Sequence, residues 1–130
     1  MAQTLVLDSS IVIAWFDSGD ALHERARAVL ERTRSDDRVI PASVYAESFV
    51  GPSRRGDDAV RLFDEALGAL PARVEPITAA IARRAAALRA RHERLRLADA
   101  LVLATAEDLD GSVLTADRTW VRYGPRVRII

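Results

Sequence analysis

Apolar and polar positions follow two different rhythms along this chain. Thr4-Leu5-Val6-Leu7 is a short, uninterrupted and partly β-branched apolar run that stops on Asp8. This is the pattern of a strand buried on both faces of a parallel sheet. Ser9-Ser10 then open a short apolar helix over 11–16, and Ser18-Gly19-Asp20 separates it from a longer helix over 21–34. In the longer helix Leu22, Ala26, Val29 and Leu30 recur at the spacing of one helical face. A polar turn at Ser35-Asp36-Asp37 leads to a brief strand at Val39-Ile40. Pro41 with Ser43 marks the start of a helix carrying Val44, Glu47 and Val50, which Gly51-Pro52 is expected to end.

The second half repeats the alternation. Asp57-Asp58 begin a helix with Val60, Leu62, Phe63, Leu67 and Leu70 as its apolar positions, and a very short strand follows over 74–76. Thr78 is placed to cap an alanine-rich helix reaching to about Arg94, with Ile81, Ala85, Leu88 and His92 along one face. A further helix starts at Ala98-Asp99 and is apolar nearly all round, as a central helix would be, until Gly111 stops it. Ser112-Val113-Leu114-Thr115 reads as a strand, and residues 127–130 close the chain as an edge strand. Strands alternating with helices at this spacing predict an α/β fold, a sandwich around a central, mostly parallel sheet formed by one domain over residues 1–130. Such sheets carry their chemistry at the carboxyl ends of the strands.

Composition narrows the chemistry. Hydrophobic residues make up 49% of the 130, and there is no cysteine, which removes disulfide frameworks, thiolate zinc sites and cysteine nucleophiles. The formal net charge is zero, so any affinity for nucleic acid has to come from local charge. All 19 basic residues are arginines. The absence of lysine argues against receiver-like signalling domains and haloacid-dehalogenase-type phosphatases, and no G-x-x-x-x-G-K-[ST] loop is present to cradle a nucleotide. No stretch has the pattern of a signal peptide or a membrane span, which sets a cytoplasmic location with no membrane partner as the expectation.

Four acids stand where simple exposure does not account for them: Asp8 after a buried strand, Glu47 inside a helix, Asp99 at the head of an apolar helix, and Asp117 after another strand. Taken singly, the three aspartates suit helix caps or first-turn acids, and Glu47 suits a solvated face. As a set they point to one rim of one sheet. Gathered carboxylates raise one another's pKa unless a cation lies between them. All-oxygen ligation suits Mg²⁺, with Mn²⁺ as a substitute, in phosphodiester hydrolysis.

The blocks around these acids carry a family resemblance. Leu5-Val6-Leu7-Asp8-Ser9-Ser10, Ala46-Glu47, Leu97-Ala98-Asp99-Ala100-Leu101-Val102-Leu103-Ala104-Thr105-Ala106 and Leu114-Thr115-Ala116-Asp117 occur in the order, and at the separations, of the PIN-domain family. Within that family the chain resembles the VapC-type toxins of bacterial type II toxin–antitoxin pairs. The resemblance implies a PIN-like three-layer α/β/α sandwich and a metal-dependent endoribonuclease. It implies a catalytic and metal site of Asp8, Glu47, Asp99 and Asp117, supported by the hydroxyls of Ser10 and Thr115. It also implies an RNA substrate, a cognate antitoxin and a homodimer. The alternative is a catalytically idle PIN-like module that binds RNA or a protein partner.

Arg83, Arg84, Arg89 and Arg91, with Arg94 and Arg96 beyond them, concentrate positive charge where RNA phosphates would be drawn, or else form a solvated helix face. His23 and His92 lack metal-ligand spacing and are assigned to structure. Trp15, Phe16, Trp120 and Tyr123 are assigned to packing.

Overall fold

The computed structural model describes residues 2–130. Five strands, β1 (Thr4–Leu7), β2 (Asp37–Pro41), β3 (Arg73–Glu75), β4 (Ser112–Thr115) and β5 (Val127–Ile129), form one sheet in the order β3-β2-β1-β4-β5. Every pairing is parallel, so the sheet is wholly rather than mostly so. Leu5, Val6 and Leu7 are completely buried, which accounts for the unbroken apolar run of β1: helices cover both faces, and neither tolerates a polar side chain.

Six α-helices complete the fold: α1 (Ser9–Phe16), α2 (His23–Arg32), α3 (Ala42–Arg55), α4 (Asp57–Gly68), α5 (Ala79–Arg91) and α6 (Leu97–Asp108). A 3-10 helix over Arg118–Tyr123, which hydrophobic periodicity does not signal, links β4 to β5. Thr78 caps α5 as expected, its Oγ1 accepting from the Ile81 N–H at 3.1 Å. The central character of α6 is also plain, with Ala100, Val102, Leu103, Ala104, Thr105 and Ala106 all buried. Trp120 is buried, and Phe16, Phe49 and Phe63 pack edge to face at 4.8 Å, tying α1, α3 and α4 together.

Two helix ends differ from expectation. Gly51-Pro52 does not end α3, which continues to Arg55 with Pro52 buried inside it; Gly56 makes the stop at φ 115°, a conformation that favours glycine. The apolar burial of Pro52 offsets the hydrogen bond that its ring forfeits. The alanine-rich helix ends at Arg91 rather than Arg94, and His92 is its C-cap instead of an inner-face residue, with its ring edge-on to Tyr123 at 5.1 Å.

Gly111 has a different function from helix termination. Asp110 is the residue in the left-handed conformation after α6, at φ 51°, and the Gly111 N–H closes the turn on the Ala106 carbonyl at 2.9 Å. Gly111 is needed because β1 passes against it: a Cβ there would lie 2.7 Å from the Thr4 carbonyl oxygen and 3.1 Å from the Thr4 side chain. Gly111→Ala is therefore expected to destabilise the fold by about 1–3 kcal/mol through overpacking against backbone. Thermal and urea unfolding of the variant measure this, and an unchanged midpoint would show that β1 and β4 have room to separate.

Candidate active site

All strands being parallel, their carboxyl ends share one edge, and the chain leaves that edge at Asp8, at Pro41 into α3, and at Thr115. β1 lies between β2 and β4 and is the point where the order of connections reverses, the position at which open α/β sheets place their ligands. Asp8 and Thr115 flank this crevice, and the Asp8 N–H donates to the Leu114 carbonyl at 3.0 Å.

Asp8 is only 6% exposed. Although it precedes α1, its side chain makes no capping hydrogen bond to that helix. Instead its Oδ2 accepts from Ser10 Oγ at 2.9 Å and from Thr115 Oγ1 at 2.8 Å. The two hydroxyls are themselves held: Ser10 Oγ accepts from the Ala116 N–H and Thr115 Oγ1 from the Asp117 N–H, each at 3.1 Å. This relay of side chain and backbone joins the ends of β1 and β4 and fixes the orientation of the carboxylate.

Glu47 projects from the second turn of α3 and is exposed. Asp99 lies in the first turn of α6 with its side chain 16% exposed and faces the Arg96 guanidinium, Nε to Oδ2 at 3.3 Å. The electrostatics show that these acids share a neighbourhood. Burial pushes the pKa of Asp8 up, against the lowering effect of its hydrogen bonds from Thr115 and Ser10, and Asp99 adds to the rise. The pKa of Glu47 is raised by partial desolvation first and then by the charges of Asp8 and Asp99, with Arg96 opposing.

Asp117 stands apart. It is exposed, its Oδ1 accepts from the Thr119 N–H at 2.9 Å and Thr119 Oγ1 at 2.7 Å, and it caps the 3-10 helix. Its charge is not among the causes that raise Asp8 or Glu47.

Among the described residues, no three acidic or histidine side chains already close on a common point as a preformed metal cage would. A hard cation that keeps several of its waters does not need such a cage. The donor set suits it: oxygen ligands only, one carboxylate clamped by hydroxyls, and mutual repulsion that a divalent charge would relieve.

The arginines of the basic helix divide. Arg84 faces Glu107 and Asp108 at 3.8 and 3.5 Å, and Arg89 Nη1 donates to the Glu93 and Leu95 carbonyls at 3.0 and 2.8 Å, stitching the loop between α5 and α6. Arg83 and Arg91 are exposed and have no acidic partner among the described residues. His23 is structural, its Nδ1 at 2.7 Å from the Ala14 carbonyl and its Nε2 accepting from Arg27. Two features escape sequence reasoning. One is the pairing of Arg96 with Asp99, for which their three-residue spacing was the available signal; the other is an open groove of about 280 Å³ beside Glu47, lined in part by Ile13, Phe16, Pro52 and Phe63.

The raised pKa values give a signed prediction for the metal-free chain. Asp8 and Glu47 bind protons more tightly folded than unfolded, so between their ordinary values of 3.8 and 4.5 and the raised ones the folded state holds more protons. Their contribution to stability is therefore lost as pH rises through that window. Asp8→Asn should make this decline shallower and, near neutral pH in chelator, raise the melting temperature. A variant that melts lower than wild type at every pH would show that Asp8 serves the fold rather than a site.

The PIN domain family matches residues 5–124. A toxin–antitoxin complex from Klebsiella pneumoniae contains a chain similar to this one at TM-score 0.79 and 26% identity, covering 95% of each. VapC20 from Mycobacterium tuberculosis, described as a sarcin-ricin loop cleaving toxin, is similar at TM-score 0.78 and 25% identity, over 95% of this chain and 98% of that one. VapBC2 from Rickettsia felis, bound to a promoter DNA fragment, shares the fold at TM-score 0.76 and 14% identity over 98% and 97% of the two chains. No curated protein sequence matches. The five-stranded parallel sheet, its flanking helices and a match that spans nearly the whole chain make this protein a member of the PIN domain family.

Proposed function

We propose that this protein is a metal-dependent endoribonuclease and the toxin of a toxin–antitoxin pair, acting in the cytoplasm on RNA phosphodiester bonds. PIN domains are generally nucleases, and PIN nucleases generally use divalent metals. The observation that carries the reading is Asp8 at the switch point of the sheet, buried and clamped by the hydroxyls of Ser10 and Thr115, with Glu47 and Asp99 near enough for like charge to act between them.

Asp8, Glu47 and Asp99 are the residues that would hold Mg²⁺ or Mn²⁺, which supplies an activated water and neutralises charge developing on the phosphate. Ser10 and Thr115 hold Asp8 in place by donating to a single carboxylate oxygen, Oδ2, and leave Oδ1 without a hydroxyl partner among the described residues. Glu47, with its proton affinity raised by partial desolvation and then by the charges of Asp8 and Asp99, is suited to take a proton from an attacking water. Asp117, engaged with Thr119, is assigned an outer role in orienting water or shaping the rim. Of the basic helix, Arg83 and Arg91 remain available for RNA phosphates, whereas Arg84 and Arg89 serve the fold.

The toxin assignment draws on the two toxin neighbours and on the groove beside Glu47. Its apolar lining and the exposed Ile13 and Val50, 40% and 45% accessible, suit a cognate antitoxin segment that would cover the carboxylates as it binds. Pairing with a second copy of the chain belongs to the same reading.

The purified chain, freed of any partner, is expected to cleave RNA with Mg²⁺ or Mn²⁺ and to stop in excess chelator. Asp99→Asn should lower the rate about a hundredfold or more, and Asp117→Ala less than about tenfold. Expression of the wild type alone should arrest bacterial growth, and Asp99→Asn should relieve the arrest at equal abundance. Robust cleavage in chelator would end the metal mechanism, and RNA binding without cleavage under all conditions would favour an idle module.

A further inference from the structure

The three carboxylates have one cation among them, and it comes from the chain itself. Arg96 presents Nε at 3.3 Å from Asp99 Oδ2 and Nη2 at 3.5 Å from Asp99 Oδ1, a two-pronged approach to both oxygens. Its charge also reaches Glu47 and Asp8. No other basic side chain among the described residues forms an ion pair with any of the three.

The pair is held loosely at one end and firmly at the other. Its distances exceed the 2.7–2.9 Å or so of a tight charge-assisted hydrogen bond, and the Arg96 side chain is 79% exposed. The backbone beneath it is fixed: Leu95 is buried, its carbonyl accepts from Arg89 Nη1, and the Arg96 carbonyl accepts from the Ala100 N–H at 2.9 Å to start α6. An exposed guanidinium on a fixed pivot can leave Asp99 without disturbing the fold. Its planar array of donors matches a phosphate as well as a carboxylate.

Resting on the nuclease reading above, we propose that Arg96 is the counter-cation of the carboxylate site in the free chain and, displaced from Asp99 when a divalent ion binds, turns to an RNA phosphate. The sign of its effect is therefore split. Before metal binds, Arg96 offsets the repulsion among Asp8, Glu47 and Asp99 and competes with the incoming ion. After metal binds, it becomes a positioning residue for the substrate backbone. An ordinary exposed pair at three-residue helical spacing would do neither to a measurable extent.

The test compares wild type with Arg96→Gln and Arg96→Lys in three measurements: Mn²⁺ affinity by calorimetry without RNA, melting in chelator at low and high salt, and single-turnover RNA cleavage at saturating Mn²⁺. Arg96→Gln should bind Mn²⁺ about two- to fivefold more tightly, because the cation that competes with the metal for Asp99 is gone. It should melt lower than wild type at low salt, with the difference vanishing at about 1 M salt, and cleave about tenfold more slowly or worse. Arg96→Lys, which keeps the charge and loses the fork, should match wild type in Mn²⁺ affinity and fall between the two in cleavage. Weaker Mn²⁺ binding by Arg96→Gln would overturn the proposal, since Arg96 would then be holding Asp99 for the metal. Unchanged affinity and melting would overturn it as well. Should the wild type fail to cleave RNA, the nuclease reading fails separately, while affinity and melting still decide whether Arg96 is the counter-cation.

Discussion

The arrangement of this molecule depends on one buried charge. β1 is sealed on both faces, and the first polar side chain after it, Asp8, emerges at the sheet edge almost without water. A carboxylate in that position is costly unless hydrogen bonds or a cation compensate. Two hydroxyls do part of this, Ser10 from the start of α1 and Thr115 from the end of β4, and each is oriented by a backbone N–H from the segment after β4. The same contacts lock the two central strands at the edge where the connections reverse, so the stability of the crevice and the aim of its carboxylate are one problem.

What the hydroxyls leave uncompensated explains the rest of the site. Glu47 and Asp99 arrive from α3 and α6 with like charge, and the proton affinities of Asp8 and Glu47, raised first by burial, are raised further by that repulsion. A fold shaped only for stability would replace one of these acids with a neutral residue. Retaining all three is physically reasonable if a divalent cation is part of the working state, because mass action then returns stability in proportion to metal concentration.

Most of the fold was legible from hydrophobic periodicity because the buried runs are unambiguous: Leu5-Val6-Leu7 sees two covered faces, and the all-round apolar α6 has to be central. The places where the pattern misled are those where tertiary contact overrules local preference. Pro52 stays inside α3 because it is buried there, and Gly111 is explained by the Thr4 backbone 107 residues earlier in the chain rather than by the helix it follows. At the site, positions at strand ends and helix starts suggested one rim shared by Asp8, Glu47, Asp99 and Asp117. Side-chain allegiance was not legible. Asp117 has the same kind of position as Asp8, yet it turns to Thr119, and the basic helix looked uniform although Arg84 and Arg89 have partners within the chain. Arg96 stood in the same basic run, but only three-dimensional structure aims it at the carboxylates.

The central claim is that Asp8, Glu47 and Asp99 form one divalent-metal site. Anomalous diffraction from crystals of the wild type soaked in Mn²⁺ tests it most directly, because the ion's position is read without reference to activity. The account predicts a single strong peak in the crevice between β1 and β4, with carboxylate oxygens of Asp8 and at least one of Glu47 and Asp99 at about 2.1 Å or joined to it through one water. A crevice with no peak while Mn²⁺ occupies other carboxylates on the surface would contradict it.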